Sequence, residues 1–148
     1  MTTGQTLFPH IIVDRGVAAL EFYTRAFGAR VLYSLKNPNG TIAHAELEIA
    51  GSVLQLADEY PALKAFAPRN LAGTSSSLAF YVDDVDRAVA QAVAAGGELE
   101  RPIADEFYGD RVGWVRDPFG HRWAIHTRRE QLTNADIQKR FADLMSGS

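Results

Sequence analysis

IIVDRGVAALEFYTRAFGARVL, residues 11–32, is answered further along the chain by AFYVDDVDRAVAQAVAAGGELE, residues 79–100. Val13 matches Val82, Ala19 matches Ala88, Leu20 matches Val89, Ala26 matches Ala95 and Gly28 matches Gly97, all at an offset of 69 residues. Each copy reads as a strand ending in Val-Asp, an alanine-rich amphipathic helix, a glycine and a new strand. A repeat of this length means two copies of one supersecondary unit, and the cleft between them is the natural place for a ligand.

Outward from the first copy, Leu7–Val13 reads as a strand and Asp14 as the cap of a helix over Gly16–Phe27, with Gly28 in the left-handed position that stops it. Arg30–Leu35 is a second strand, and Asn37-Pro38-Asn39-Gly40 is a turn. The run Thr41–Ala50 alternates, with Ala45, Leu47 and Ile49 on one face and His44, Glu46 and Glu48 on the other. Gly51-Ser52 turns the chain into a strand over Val53–Ala57, and Asp58-Glu59 reads as a charged, water-facing exit. Periodicity then vanishes until Ser76. The second copy continues with a strand at Ser77–Val82, a helix at Val85–Ala95, a strand at Glu98–Pro102 and a long loop over Ile103–Asp110. Strands follow at Arg111–Arg116 and His121–Thr127, joined by Asp117-Pro118-Phe119-Gly120. A last helix starts at Thr133 as N-cap, with Asp136 three residues on, and is expected to bury Ile137, Phe141 and Leu144. The predicted fold class is α+β: a single domain over residues 1–148, made of two tandem βαβββ modules that form a curved mixed sheet around a cup-shaped cavity. Module one spans 5–60, a linker 61–76, module two 77–128 and the C-terminal helix 133–146.

A net charge of −3 without runs of like charge leaves no electrostatic footprint for nucleic acid. No stretch approaches the roughly 20 apolar residues of a membrane span, and MTTGQTLF lacks the pattern of a secretory leader. Zero cysteines exclude disulfides, thiolate metal sites and a cysteine nucleophile, so a cytoplasmic protein is expected. Ser75–Ser77 lack a nucleophile elbow, and there is no phosphate loop or dinucleotide glycine pattern.

Several motifs carry a resemblance: Leu20-Glu21-Phe22-Tyr23 through Ala26-Phe27-Gly28-Ala29, His44-Ala45-Glu46-Leu47, Val82-Asp83-Asp84-Val85-Asp86, Tyr108-Gly109-Asp110-Arg111, and Asp117-Pro118-Phe119-Gly120-His121-Arg122-Trp123. With these the chain resembles the vicinal oxygen chelate superfamily of glyoxalase I, bleomycin-resistance proteins and extradiol dioxygenases. The resemblance implies the fold above, a small-molecule ligand and pairing as a homodimer. Members resembling glyoxalase I hold a divalent ion with four side chains, and carrying those positions over gives Phe8, Gln55, Ser77 and Ala124. Phenylalanine and alanine cannot ligate, serine rarely does, and glutamine is a weak neutral donor. No metal and no other cofactor are therefore expected.

Side chains two apart on a strand share a face. Alternation adds His10 and Ile12 to Phe8, Val53 and Ala57 to Gln55, Ala79 and Tyr81 to Ser77, and Arg122 and His126 to Ala124. His44 and Glu46 are the catalytic candidates, as a general base with its carboxylate or, with His10, as a displaced metal site; alternatively they are hydrogen-bonded pocket groups. Tyr108 and Arg111 could stack on a planar ligand and pair with an anion, or could belong to a turn in which Asp110 pairs with Arg111. Trp123 should face the helix layer, and His121 should be a structural hydrogen-bonder. The expected ligand-binding set is Phe8, His10, Gln55, Ser77, Tyr81, Tyr108, Arg111, Arg122 and His126. Two functions compete: sequestration of an aromatic or antibiotic-like small molecule, or a glyoxalase-like lyase or isomerase reaction on a small carbonyl compound. Neither needs a nucleic-acid or membrane partner.

Overall fold

A computed structural model describes residues 4–147; residues 1–3 and 148, the ends of the expected domain, lie outside the described residues. Module one runs β1 (His10–Val13), α1 (Gly16–Phe27), β2 (Arg30–Lys36), β3 (Ile42–Ile49) and β4 (Ser52–Asp58). Module two runs β5 (Ser77–Tyr81), α2 (Val85–Ala94), β6 (Glu98–Asp105), β7 (Asp110–Arg116) and β8 (Arg122–Arg128), and α3 (Asn134–Ser146) follows. The strands form two mixed four-stranded sheets of matching order, β1-β4-β3-β2 and β5-β8-β7-β6. The first strand of each is parallel to the last: His10 lies opposite Gln55 and Ile12 opposite Ala57, while Ala79 lies opposite Ala124 and Tyr81 opposite His126. Every one of these pairs recurs 69 residues on, so the offset read from the helices also holds in strand register.

α1 buries Gly16, Ala19, Phe22, Tyr23 and Ala26, the three-and-four spacing of one helical face. With Val85, Val89 and Ala92 of α2 they join Leu47, Leu56, Val115, Trp123 and Ile125 from the sheets in one core that spans both modules. Burying each such large side chain contributes about 1.5–3 kcal/mol. Gly28 ends α1 at φ 66°, as its sequence predicts. Its counterpart Gly97 is needed for space instead, since a Cβ there would meet Val115 at 2.8 Å.

Four expectations change. Asp14 does not cap α1: the Gly16 amide donates at 2.9 Å to Asp58, whose second oxygen takes the Ile42 amide at 2.7 Å. The counterpart of Asp58 in module two is Thr127, and its hydroxyl takes the Val85 amide at 2.9 Å. Asp58-Glu59 is therefore no idle exit. Glu59 also accepts from the Ala67 amide and the Asn70 side chain, which fold the linker around two short helical turns and hold the Glu59 carboxyl below its ordinary range. The strand before the long loop runs on to Asp105, because β7 begins at Asp110 and keeps its neighbour paired, so the loop shrinks to a tight turn. Finally, α3 has the Thr133–Asp136 capping box but buries none of its residues: Phe141 and Leu144 are exposed, and the helix is tied down by the Arg140–Glu130 ion pair and by Phe107 against Phe141. Among the described residues no helix is long and apolar enough to cross a membrane.

Candidate functional site

Each sheet turns alternate residues to the helices and leaves the others on a free face. In module one, Ala45, Leu47, Leu54 and Leu56 are buried in the core, so His44, Glu46 and Gln55 share the free face with His10. The register lines up His10, Gln55, Glu46 and Tyr33 in one row across four strands. Glu46 is only 8% exposed and accepts from the Tyr33 hydroxyl at 3.2 Å and the Gln55 amide at 3.3 Å, with His44 Nε2 at 3.7 Å. The His10 and His44 rings stack at 5.8 Å. Burial, and then repulsion from His44, hold the His10 imidazole below its ordinary value. This cluster has the parts for proton transfer, a histidine beside a buried carboxylate. Among the described residues no three His, Asp or Glu converge as a metal set would.

In module two the free face holds Ser77 and Tyr81 from β5, Arg122, Ala124 and His126 from β8, and Asp110 and Trp114 from β7. Arg122 donates to Glu100 at 2.8 Å and stacks on Trp114 at 4.9 Å. Arg111 is placed otherwise than expected. Its guanidinium bonds Asp86 of α2 at 2.9 and 3.0 Å and Asp105 at 3.2 Å, on the helix side of the sheet. Asp110, one residue earlier, takes the free face, with the Tyr81 hydroxyl at 2.6 Å, His126 Nδ1 at 3.0 Å and Arg128 Nε at 3.1 Å. Sequence reasoning missed Asp110 and Arg128 as partners of Tyr81 and His126. The missing signal is parity: Val112 and Val115 in β7 lie on opposite faces, so hydrophobic alternation does not decide which of Asp110 and Arg111 points where. Tyr108 sits in the shortened turn, its ring 6.4 Å from His126 and against Phe107.

A cavity of about 680 Å³ opens where the modules meet. Leu7, Phe8 and Val53 line it from module one, and Ala79, Phe80 and Tyr81 from module two, with Trp123 among the core residues at its wall. Of the expected ligand-binding residues, the structure thus brings Phe8 and Tyr81 together here. His10, Gln55, His44 and Glu46 form a separate polar patch on the first sheet, and Tyr81 links the cavity to the Asp110–His126 cluster. The seam between β1 and the β7–β8 turn is closed. His121 from the β7–β8 turn bonds the Ile12 carbonyl at 2.8 Å, and buried Asp117 accepts from Tyr23, from Trp123 Nε1 at 2.9 Å and from two turn amides. Trp123 and His121 thus take the structural places that the sequence predicts.

The profile of the glyoxalase/bleomycin resistance protein/dioxygenase superfamily matches residues 5–125. The uncharacterized protein Mb0911c of Mycobacterium bovis is 36% identical over 135 residues, covering 89% of each chain. The crystal structure of TioX from Micromonospora is similar at a TM-score of 0.66 and 26% identity, covering 84% of this chain and 99% of that one. The fosfomycin resistance protein FosX of Listeria monocytogenes shares the fold at a TM-score of 0.67 and 19% identity, over 93% of this chain and 99% of its own.

Proposed function

Because the chain belongs to the glyoxalase/bleomycin resistance protein/dioxygenase superfamily, we propose that it is a small-molecule-binding member that sequesters a planar aromatic or antibiotic-like compound. The carrying observation is the 680 Å³ cavity between the modules, walled by aromatic and aliphatic side chains. The donor set supports this reading over metal chemistry. Phe8 and Ala124 offer no donor atom, and Gln55 and Ser77 offer only weak neutral oxygens, so the four family positions do not fit a divalent ion. The protein is read as a homodimer, with Phe141, Leu144 and Met145 of α3 supplying exposed apolar surface for association.

The test is a thermal-shift screen of planar hydrophobic compounds, with and without a chelator. A ligand at 100 times its Kd adds about 2.7 kcal/mol of stability. The expected result is stabilisation that survives chelation and is lost when Ala79→Trp fills the cavity. A panel that shifts nothing overturns the reading, and shifts abolished by chelation favour a metal protein instead. The second reading, a lyase or isomerase acting on a small carbonyl compound, draws on His44 beside the buried Glu46. It requires turnover that His44→Ala and Glu46→Gln both abolish.

A further inference from the structure

The cluster around Asp110 adjoins the cavity through Tyr81. Asp110 is 3% exposed and both its oxygens are engaged: Oδ2 by the Tyr81 hydroxyl and His126 Nδ1, Oδ1 by Arg128 Nε. Burial works against its charge, but the hydrogen bonds from Tyr81, His126 and Arg128 outweigh that and keep the carboxyl below its ordinary range. An ionised carboxylate only accepts, so the proton of the neutral imidazole sits on Nδ1 and Nε2 is left as an acceptor. No described residue bonds Nε2. The His126 ring has Tyr81 at 5.1 Å and Tyr108 at 6.4 Å, and Tyr81 lines the cavity. A plane that fills the cavity lies against Tyr81, and His126 is the cross-strand neighbour of Tyr81 on the same face.

Charge narrows the choice further. Arg128 is committed to Asp110 and to the Tyr81 hydroxyl at 3.0 Å, and Arg122 is committed to Glu100. These two cations are already balanced, so neither is free to pair with a carboxylate or phosphate of the ligand, and the third arginine of this face, Arg101, is stacked over the Trp114 ring at 4.8 Å. We propose that the ligand is a neutral planar aromatic bearing a hydroxyl group, whose O–H donates to His126 Nε2, with Asp110 and Arg128 as positioning residues. This rests on the ligand-binding reading above.

The experiment measures Kd for 2-naphthol and 2-methoxynaphthalene, which share the naphthalene plane and its oxygen while only the first can donate, by calorimetric titration of the full chain. The wild type is expected to prefer the naphthol by about tenfold, the worth of one well-made hydrogen bond. His126→Phe keeps a ring between the two tyrosines and should bring the naphthol down to the affinity of the ether. Asp110→Asn should shrink the same ratio, a readout that a purely structural role would leave unmoved. Equal affinities in the wild type, or a preference that survives His126→Phe, overturn the proposal. If neither naphthalene binds while other planar compounds do, this inference falls and the ligand-binding reading stands; if no planar compound binds, both fall.

Discussion

The two seams between the modules are related by the internal repeat, yet one is welded and the other is open. At the closed seam, Tyr23, Trp123 and His121 knit α1 and β1 to the β7–β8 turn through Asp117 and the Ile12 carbonyl. Burial, and then the charge of Asp117, push the Tyr23 phenol well above its ordinary value, so it remains a donor. The 69-residue counterparts at the other seam are Ala92 for Tyr23, Leu54 for Trp123 and Ser52 for His121. Each is smaller, and Ala92 and Leu54 have no polar side-chain atom with which to rebuild the network. The cavity lies at that seam, bounded by Ser52, Leu54 and Tyr81. The repeat thus supplies two equivalent junctions, of which one is closed by buried hydrogen bonds and the other leaves the cavity.

The closed seam depends most on Asp117. Asp117→Ala strands two buried side-chain donors and two turn amides. It should cost about 3–5 kcal/mol in chemical denaturation. A loss below about 1 kcal/mol would mean that the closed seam is held by packing alone. At the open seam the effects should separate: Ala79→Trp should weaken binding by at least about tenfold while changing stability by less than about 1 kcal/mol, since Ala79 is exposed. A large destabilisation there would show that the open seam is also structural.

The two helix starts differ on a smaller scale. Asp58→Ala removes the acceptor for two amides and should cost about 2 kcal/mol, whereas Thr127→Val removes one such acceptor and should cost about 1 kcal/mol. Equal losses in denaturant melts would show that the second amide bond of Asp58 adds nothing. The smallest effect is expected from His10, whose counterpart Ala79 does not titrate. The folded state holds its imidazole below the unfolded value of 6.5, so acid favours the unfolded chain. Its share of stability is present above that value and is lost as pH falls through the lower folded value. Stability followed from about pH 7 to about pH 5 should therefore decline less in His10→Phe than in the wild type.

Much of the fold was legible because periodicity is a local property. The boundaries of α1, the capping box at Thr133 and the repeat itself all follow from spacing within a few turns of chain. In β3 the clean alternation of Ala45, Leu47 and Ile49 against His44, Glu46 and Glu48 also places the polar row on the free face. β7 shows where this stops: apolar residues on both faces hide the parity, and the roles of Asp110 and Arg111 are exchanged.

Sequence alone settled the duplicated βαβββ order and the faces of its alternating strands, since each depends on residue identity and short-range spacing. Tertiary structure alone decided that Asp58 and not Asp14 caps α1, that Asp110 orients His126, and that one of two equivalent seams stays open. Those outcomes join residues such as Gly16 and Asp58, or Tyr23 and Asp117, which are far apart along the chain, and they depend on which side chains reach across once both modules are packed.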